Sequence, residues 1–259
     1  IETWPDAPEA KAAQFGRGRM LYALERWMEA FEAVEASFPR RPISHELNKR
    51  NELELRIGTK LLEYAETPVP GAKGQGKKTM NGFDAASRVF GAVVYNDPEG
   101  LFAPDALRLL GDAYRHGGRL EEAEAAYRRV IAEYPSYAQV DACKLGAAGC
   151  LLERMEKGAA VRNEDLLAAR ELLTSVRPDA VDGGTGPDEL ATRLNEQKAA
   201  KLLDQAAMYL RSGGAKGRAG AVFNFREIVR KYPATTAAET ARRRLDELHE
   251  PADAAQETR

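Results

Sequence analysis

A ladder of small, aromatic, β-branched and proline residues recurs along this chain at fixed offsets, and few folds accommodate such a recurrence. It reads Ala86, Phe90, Val93 and Pro98, then Ala123, Tyr127, Val130 and Pro135, then Ala221, Phe225, Ile228 and Pro233. Steps of four and three put the first three members on one face of an α-helix, with a small residue one turn before each ring. Proline then stops the helix, because it lacks the backbone donor and clashes with the preceding turn. In the fullest copy, Leu107, Gly111 and Tyr114 lie upstream on a first helix, and Gly117-Gly118 supplies the turn between the two. A helical hairpin of this kind cannot bury its apolar face alone and has to stack on its neighbours.

The stretch from Ala106 to Pro135, ALRLLGDAYRHGGRLEEAEAAYRRVIAEYP, is similar to a nearly complete tetratricopeptide repeat. Two blurred copies extend the series. Arg26-Trp27-Met28-Glu29-Ala30 reads as the entry to a second helix, with Pro39 and Pro42 as alternative ends. Leu166, Ala168, Leu172 and Leu173 give an apolar face without the aromatic. The predicted fold is therefore all-α, a tetratricopeptide-like α-solenoid of about five helical hairpins. They fall near residues 8–42, 45–98, 104–137, 138–178 and 190–237, and a capping helix follows. Residues 1–250 are expected to form a single domain and residues 251–259 a frayed tail. A longer helix is expected from Leu190 to Arg211, with Leu194, Leu202, Ala206 and Tyr209 on one face. Thr67–Asn81, rich in Pro, Gly and Lys, and Arg177–Glu189 are expected to be mobile surface loops.

Composition narrows the function. At 259 residues the chain exceeds the common single-domain size, which a solenoid tolerates because it grows by nearest-neighbour stacking. Runs of β-branched residues bounded by turns are missing, which disfavours a nucleotide-binding α/β fold. The 38 basic and 40 acidic residues give a net charge of −2 and no nucleic-acid footprint, and Arg242-Arg243-Arg244 reads as a solvated helix face. No stretch has the length to span a bilayer or the form of a signal peptide. The chain starts at Ile1 without an initiator methionine, as expected of a processed or trimmed product.

Catalytic and cofactor signatures are weak. Gly71–Thr79 comes within one residue of a P-loop, but Lys78 stands where a hydroxyl must follow the lysine to reach magnesium, and Pro68 and Pro70 disfavour the strand a P-loop requires. His45, His116 and His249 fall in separate repeats, so neither a zinc site nor a nucleophile–base pair is visible. Asp179, Asp182 and Gly183 lack the alternating carboxylates of a calcium loop. Cys143 and Cys150 lie on one face of one helix, roughly 10 Å apart along its axis, too far for a disulfide, so they read as buried thiols. No catalytic residue, metal site or cofactor is predicted. The residues expected to grip partners lie on the outward positions of the first helix of the fullest repeat: Asp105, Arg108, Asp112, Arg115 and His116.

From Lys198 to Leu248 the chain resembles the last repeat of the BamD family, the tetratricopeptide lipoproteins of the outer-membrane β-barrel assembly machinery. The likeness rests on Tyr209 and Arg211 before a glycine turn, Ala221, Phe225, Tyr232-Pro233 followed by Thr235, and Glu239–Leu245 opening a further helix. Five hairpins and a similar length extend it over most of the chain. The longer turn from Gly213 to Gly217, the Thr67–Asn81 insertion and the lack of a lipid-bearing N-terminal cysteine depart from the family. The resemblance implies a non-catalytic periplasmic scaffold, associated with the outer membrane through a lipid anchor outside this sequence. Its C-terminal repeats would dock a POTRA domain of the barrel insertase around Arg211, Arg226 and Arg230, and its N-terminal repeats would meet client or accessory proteins. A periplasmic adaptor in envelope or cell-division coordination and a cytosolic peptide-binding repeat protein are the alternatives, and an enzyme is the rival from a different class.

Overall fold

The computed structural model describes residues 7–38, 44–73, 79–181 and 185–250. Among them, helices α1 (Pro8–Ala23), α2 (Trp27–Glu35), α3 (Ser44–Leu62), α4 (Gly82–Asn96), α5 (Ala103–His116), α6 (Leu120–Glu133), α7 (Val140–Glu156), α8 (Asn163–Thr174), α9 (Pro187–Ser212) and α10 (Gly214–Lys231) follow one another as five hairpins. A last helix, α11 (Thr236–Glu247), packs on α9 and α10. Within the N-terminal unit α2 meets α3 and α4 meets α5, and within the C-terminal unit α8 meets α9, the neighbour packing of a tetratricopeptide-like solenoid. The chain groups into two compact units, Ile1–Cys150 and Leu151–Arg259, each described by itself.

In the N-terminal unit the ladder residues are the core. Ala86, Phe90, Val93, Ala123, Tyr127 and Val130 are all buried, and burying each large side chain stabilises by roughly 1.5–3 kcal/mol. The glycines of the first helices serve the rings. A methyl added at Gly111 would meet the Tyr127 ring at 2.6 Å, and one at Gly146 of α7 would meet the same ring at 2.8 Å. Gly58 of α3 stands to Phe90 in the same way, at 2.4 Å. Gly111 therefore makes room for a neighbouring aromatic side chain, which fixes how closely α5 and α6 approach. The turn between them needs Gly118 for its positive φ of 75°.

The C-terminal unit repeats the scheme with changes. Ala206 of α9 and Phe225 of α10 share a cluster with Ala221, Ile228, Ala238 and Leu245. Leu190, Leu194, Ala199 and Ala206 form the buried stripe of α9, whereas Tyr209 is exposed and lies over Gly220 of α10. In α8 the buried face is Leu166, Ala169 and Leu173, at steps of three and four. Ala168 and Leu172, predicted for that face, sit to its sides. Thr235 caps α11, its hydroxyl accepting from the Ala238 N–H at 3.2 Å.

The insertion between α3 and α4 is not the mobile loop expected. Strands β1 (Pro68–Lys73) and β2 (Thr79–Asn81) pair antiparallel, with a register shift between Pro68 and Lys73. The irregularity is where two prolines that cannot donate to a ladder are tolerated. What holds the ribbon down is burial: Val69 and Ala72 enter the core and β1 packs against α2 and α4. Asn81 ends the ribbon and starts the next helix, its side chain accepting from the Asp84 N–H at 2.8 Å. The P-loop-like lysines Lys77 and Lys78, with Gly74 and Gly76, lie outside the described residues. So do Pro39, Pro42, Asp182, Gly183 and the tail 251–259.

Candidate functional site

Charged residues on the first helix of the best repeat are held by the fold itself. The Tyr127 ring reaches through the α5–α6 seam and its hydroxyl donates to Asp112 Oδ1 at 2.7 Å. The other oxygen of Asp112 takes Arg108 Nη1 at 2.6 Å, one turn earlier on the same face. Asp105 accepts from the Tyr137 hydroxyl at 2.5 Å. Burial disfavours the Arg108 charge, but Asp112 and the Tyr137 hydroxyl outweigh it and hold the guanidinium above its ordinary value. Burial, and then Asp105, push the Tyr137 hydroxyl well up, so it remains a donor. Arg115 lies against Gly149 of α7, and His116 stacks on Phe83 of α4 with ring centroids 5.8 Å apart. All five predicted residues thus sit together along α5, and each has an intramolecular contact.

The three arginines predicted in the last repeat are dispersed. Arg211 is exposed in the final turn of α9. Arg226 binds Glu250 at 2.9 Å beyond the end of α11, and Arg230 binds Glu227 at 2.5 Å on its own helix. Cys143 and Cys150 are buried, as predicted. Among the described residues no group of histidines, cysteines and carboxylates could hold a metal ion, and no helix is long and apolar enough to cross a membrane.

A groove of about 500 Å³ opens in the C-terminal unit where α8 and α10 flank α9. Its walls mix two kinds of residue. Leu167 and Phe223 stand 54% and 55% exposed, large apolar side chains turned away from the core beside their buried neighbours Leu166 and Phe225. Arg170, Lys198, Lys201 and Lys231 bring four cations against the single acid Glu227. Glu227 is already bound to Lys231 and Arg230, which hold its carboxyl below the usual range, and Lys201 donates to the Val161 carbonyl at 2.6 Å. Arg170 and Lys198 have no ion-pair partner among the described residues. Burial, and then the Arg170 charge, depress the Lys198 ammonium.

Sequence reading passed over this groove although one signal was legible. On a helix, residues two apart point to nearly opposite sides. Once Phe225 takes the ladder position, Phe223 has to face outward. The N-terminal unit carries a smaller groove of about 400 Å³ bordered by Glu32, Glu35, Arg88 and Tyr95, with Arg88 over the Phe31 ring at 5.5 Å. There acids outnumber the cation.

Comparison with known proteins agrees with the geometry of the central hairpins. No curated protein matches the chain. The family model of the tetratricopeptide repeat matches residues 72–138, the stretch holding α4, α5 and α6 in which the ladder and the Gly111–Tyr127 seam are most complete. The region is thus similar to a tetratricopeptide repeat, a module that presents surfaces to other proteins.

Proposed function

We propose that this chain is a non-catalytic scaffold of outer-membrane protein assembly. It works in the periplasm, held at the outer membrane by a lipid anchor beyond this sequence. Its C-terminal repeats dock a POTRA domain of the barrel insertase, and its N-terminal repeats meet client or accessory proteins. The repeat architecture supports a protein-holding role, and the resemblance of Lys198–Leu248 to the BamD family supports the location and partner. The observation that carries the docking face is Arg211, exposed at the end of α9 beside the glycine turn that the resemblance includes. An exposed guanidinium offers planar, multi-donor contacts suited to a polar partner face.

The test is direct binding of the chain to purified POTRA domains of the insertase. Arg211→Glu is expected to weaken that binding about tenfold or more with helicity unchanged. Equal affinity of the variant would remove Arg211 from the docking face, and lack of binding by the unmodified chain would refute the partner.

A further inference from the structure

The α8–α9–α10 groove has features that neither the ladder nor the insertase-docking face accounts for. Arg170 and Lys198 line it together with like charge and, among the described residues, without an ion-pair partner, an arrangement that costs free energy unless an anion is supplied. Leu167 and Phe223 expose apolar area beside these cations. Asn224 is 6% exposed, lines the groove and makes no side-chain hydrogen bond among the described residues. Its amide nitrogen and oxygen are not sealed from the groove and offer it a donor and an acceptor.

We propose that this groove binds an extended, acidic segment of a partner protein that carries an apolar side chain. Each element of the wall meets one element of such a segment. Arg170 and Lys198 take a carboxylate, Leu167 and Phe223 take an apolar side chain, and the Asn224 amide pairs with main-chain N–H and C=O groups, the reading of a peptide that sequence-independent contacts allow. Charge selects the occupant: apart from Glu227, which Lys231 and Arg230 already neutralise, the groove presents only cations. The inference rests on the scaffold reading of the chain but uses a different surface, since Arg211 does not line the groove.

The experiment is fluorescence anisotropy of the whole chain with a labelled peptide of alternating glutamate and leucine. The controls are a peptide with lysine in place of glutamate, one with serine in place of leucine, and phosphatidylglycerol vesicles as competitor. The acidic, leucine-bearing peptide is expected to bind. The lysine peptide is expected not to bind, and the serine peptide to bind about tenfold more weakly. Arg170→Glu and Phe223→Ala change exposed side chains, so each is expected to keep the helical signal while weakening the peptide about tenfold or more. Asn224→Ala is expected to weaken both acidic peptides alike. Equal binding of the lysine peptide, unchanged affinity in Arg170→Glu and Phe223→Ala, or no binding at millimolar peptide would overturn the proposal. Displacement of the peptide by the vesicles would assign the groove to lipid headgroups and overturn it too. Arg211→Glu is expected to leave peptide affinity unchanged. Absence of insertase binding by the unmodified chain with peptide binding intact therefore strikes the docking reading alone, and the reverse strikes the groove alone.

Discussion

The α5 face of the N-terminal unit and the α8–α10 groove of the C-terminal unit carry similar residue types and put them to different use. On α5, Arg108 is bound by Asp112, Asp112 by Tyr127 and Asp105 by Tyr137, so the polar side chains tie the helix to the helices around it. In the groove, Arg170 and Lys198 are brought together with no ion-pair partner among the described residues. A charge on an outward helix position is therefore no guide to binding until its partners are known. Engaged charges stabilise the hairpin, whereas unanswered ones remain to be satisfied from outside.

The largest break in the comparison comes from Tyr127, which belongs to both the core and the polar network. Tyr127→Ala is expected to destabilise by about 3–5 kcal/mol, the range for removing a buried aromatic, and it also takes from Asp112 Oδ1 its hydroxyl donor. Denaturant unfolding measures it. A loss under about 1 kcal/mol would mean that the ring between Gly111 and Gly146 is not what sets the helix spacing.

Arg108→Ala and Arg170→Ala place the two regions side by side. The Arg108 pair is largely screened from solvent, with side chains 23% and 22% exposed, so its loss is expected to cost about 1–2 kcal/mol. Arg170→Ala is expected to shift stability by less than about 0.5 kcal/mol, as at ordinary surface positions. Equal thermal shifts in the two variants would erase the distinction.

Glu54 is the exception inside the N-terminal unit. It is fully buried on α3, and neither of its oxygens has a donor in hydrogen-bonding geometry. The adjacent Glu35 carboxyl can furnish one only when one of the two is protonated. Burial, and then Glu35, raise Glu54 well above the ordinary carboxylate range, with Arg50 opposing. A raised folded-state value stabilises below the unfolded value and loses that contribution as pH climbs through the folded one. Glu54→Gln is therefore expected to be more stable than the natural chain at the alkaline end, on the order of 1 kcal/mol, with the difference vanishing toward acid. Thermal unfolding across pH checks it, and a constant difference at all pH values would contradict the assignment.

Much of the fold was legible because the ladder states its own packing rule. Ala86, Ala123 and Ala221 precede Phe90, Tyr127 and Phe225 by one turn, and that placement fixed the second helices. The β1–β2 ribbon was not legible, because Pro68 and Pro70 suppress every strand signal and only the burial of Val69 and Ala72 in the core holds it in place. The face of α8 slipped by one residue because Leu166, Leu167, Leu172 and Leu173 offer two apolar registers, and only tertiary contact chooses Ala169. At the site, charge type was readable from sequence but engagement was not. Tyr137 reaches Asp105 from 32 positions away, and Arg170 meets Lys198 across a groove.

Capture from envelope extract by the whole chain, set against a chain ended after Arg177, tests the central claim that insertase docking belongs to the C-terminal repeats. The shortened chain keeps the Ile1–Cys150 unit and its α5–α6 network, so its helical signal should persist. The predicted result is recovery of the barrel insertase with the whole chain and none with the shortened one. Equal recovery by both would contradict the account.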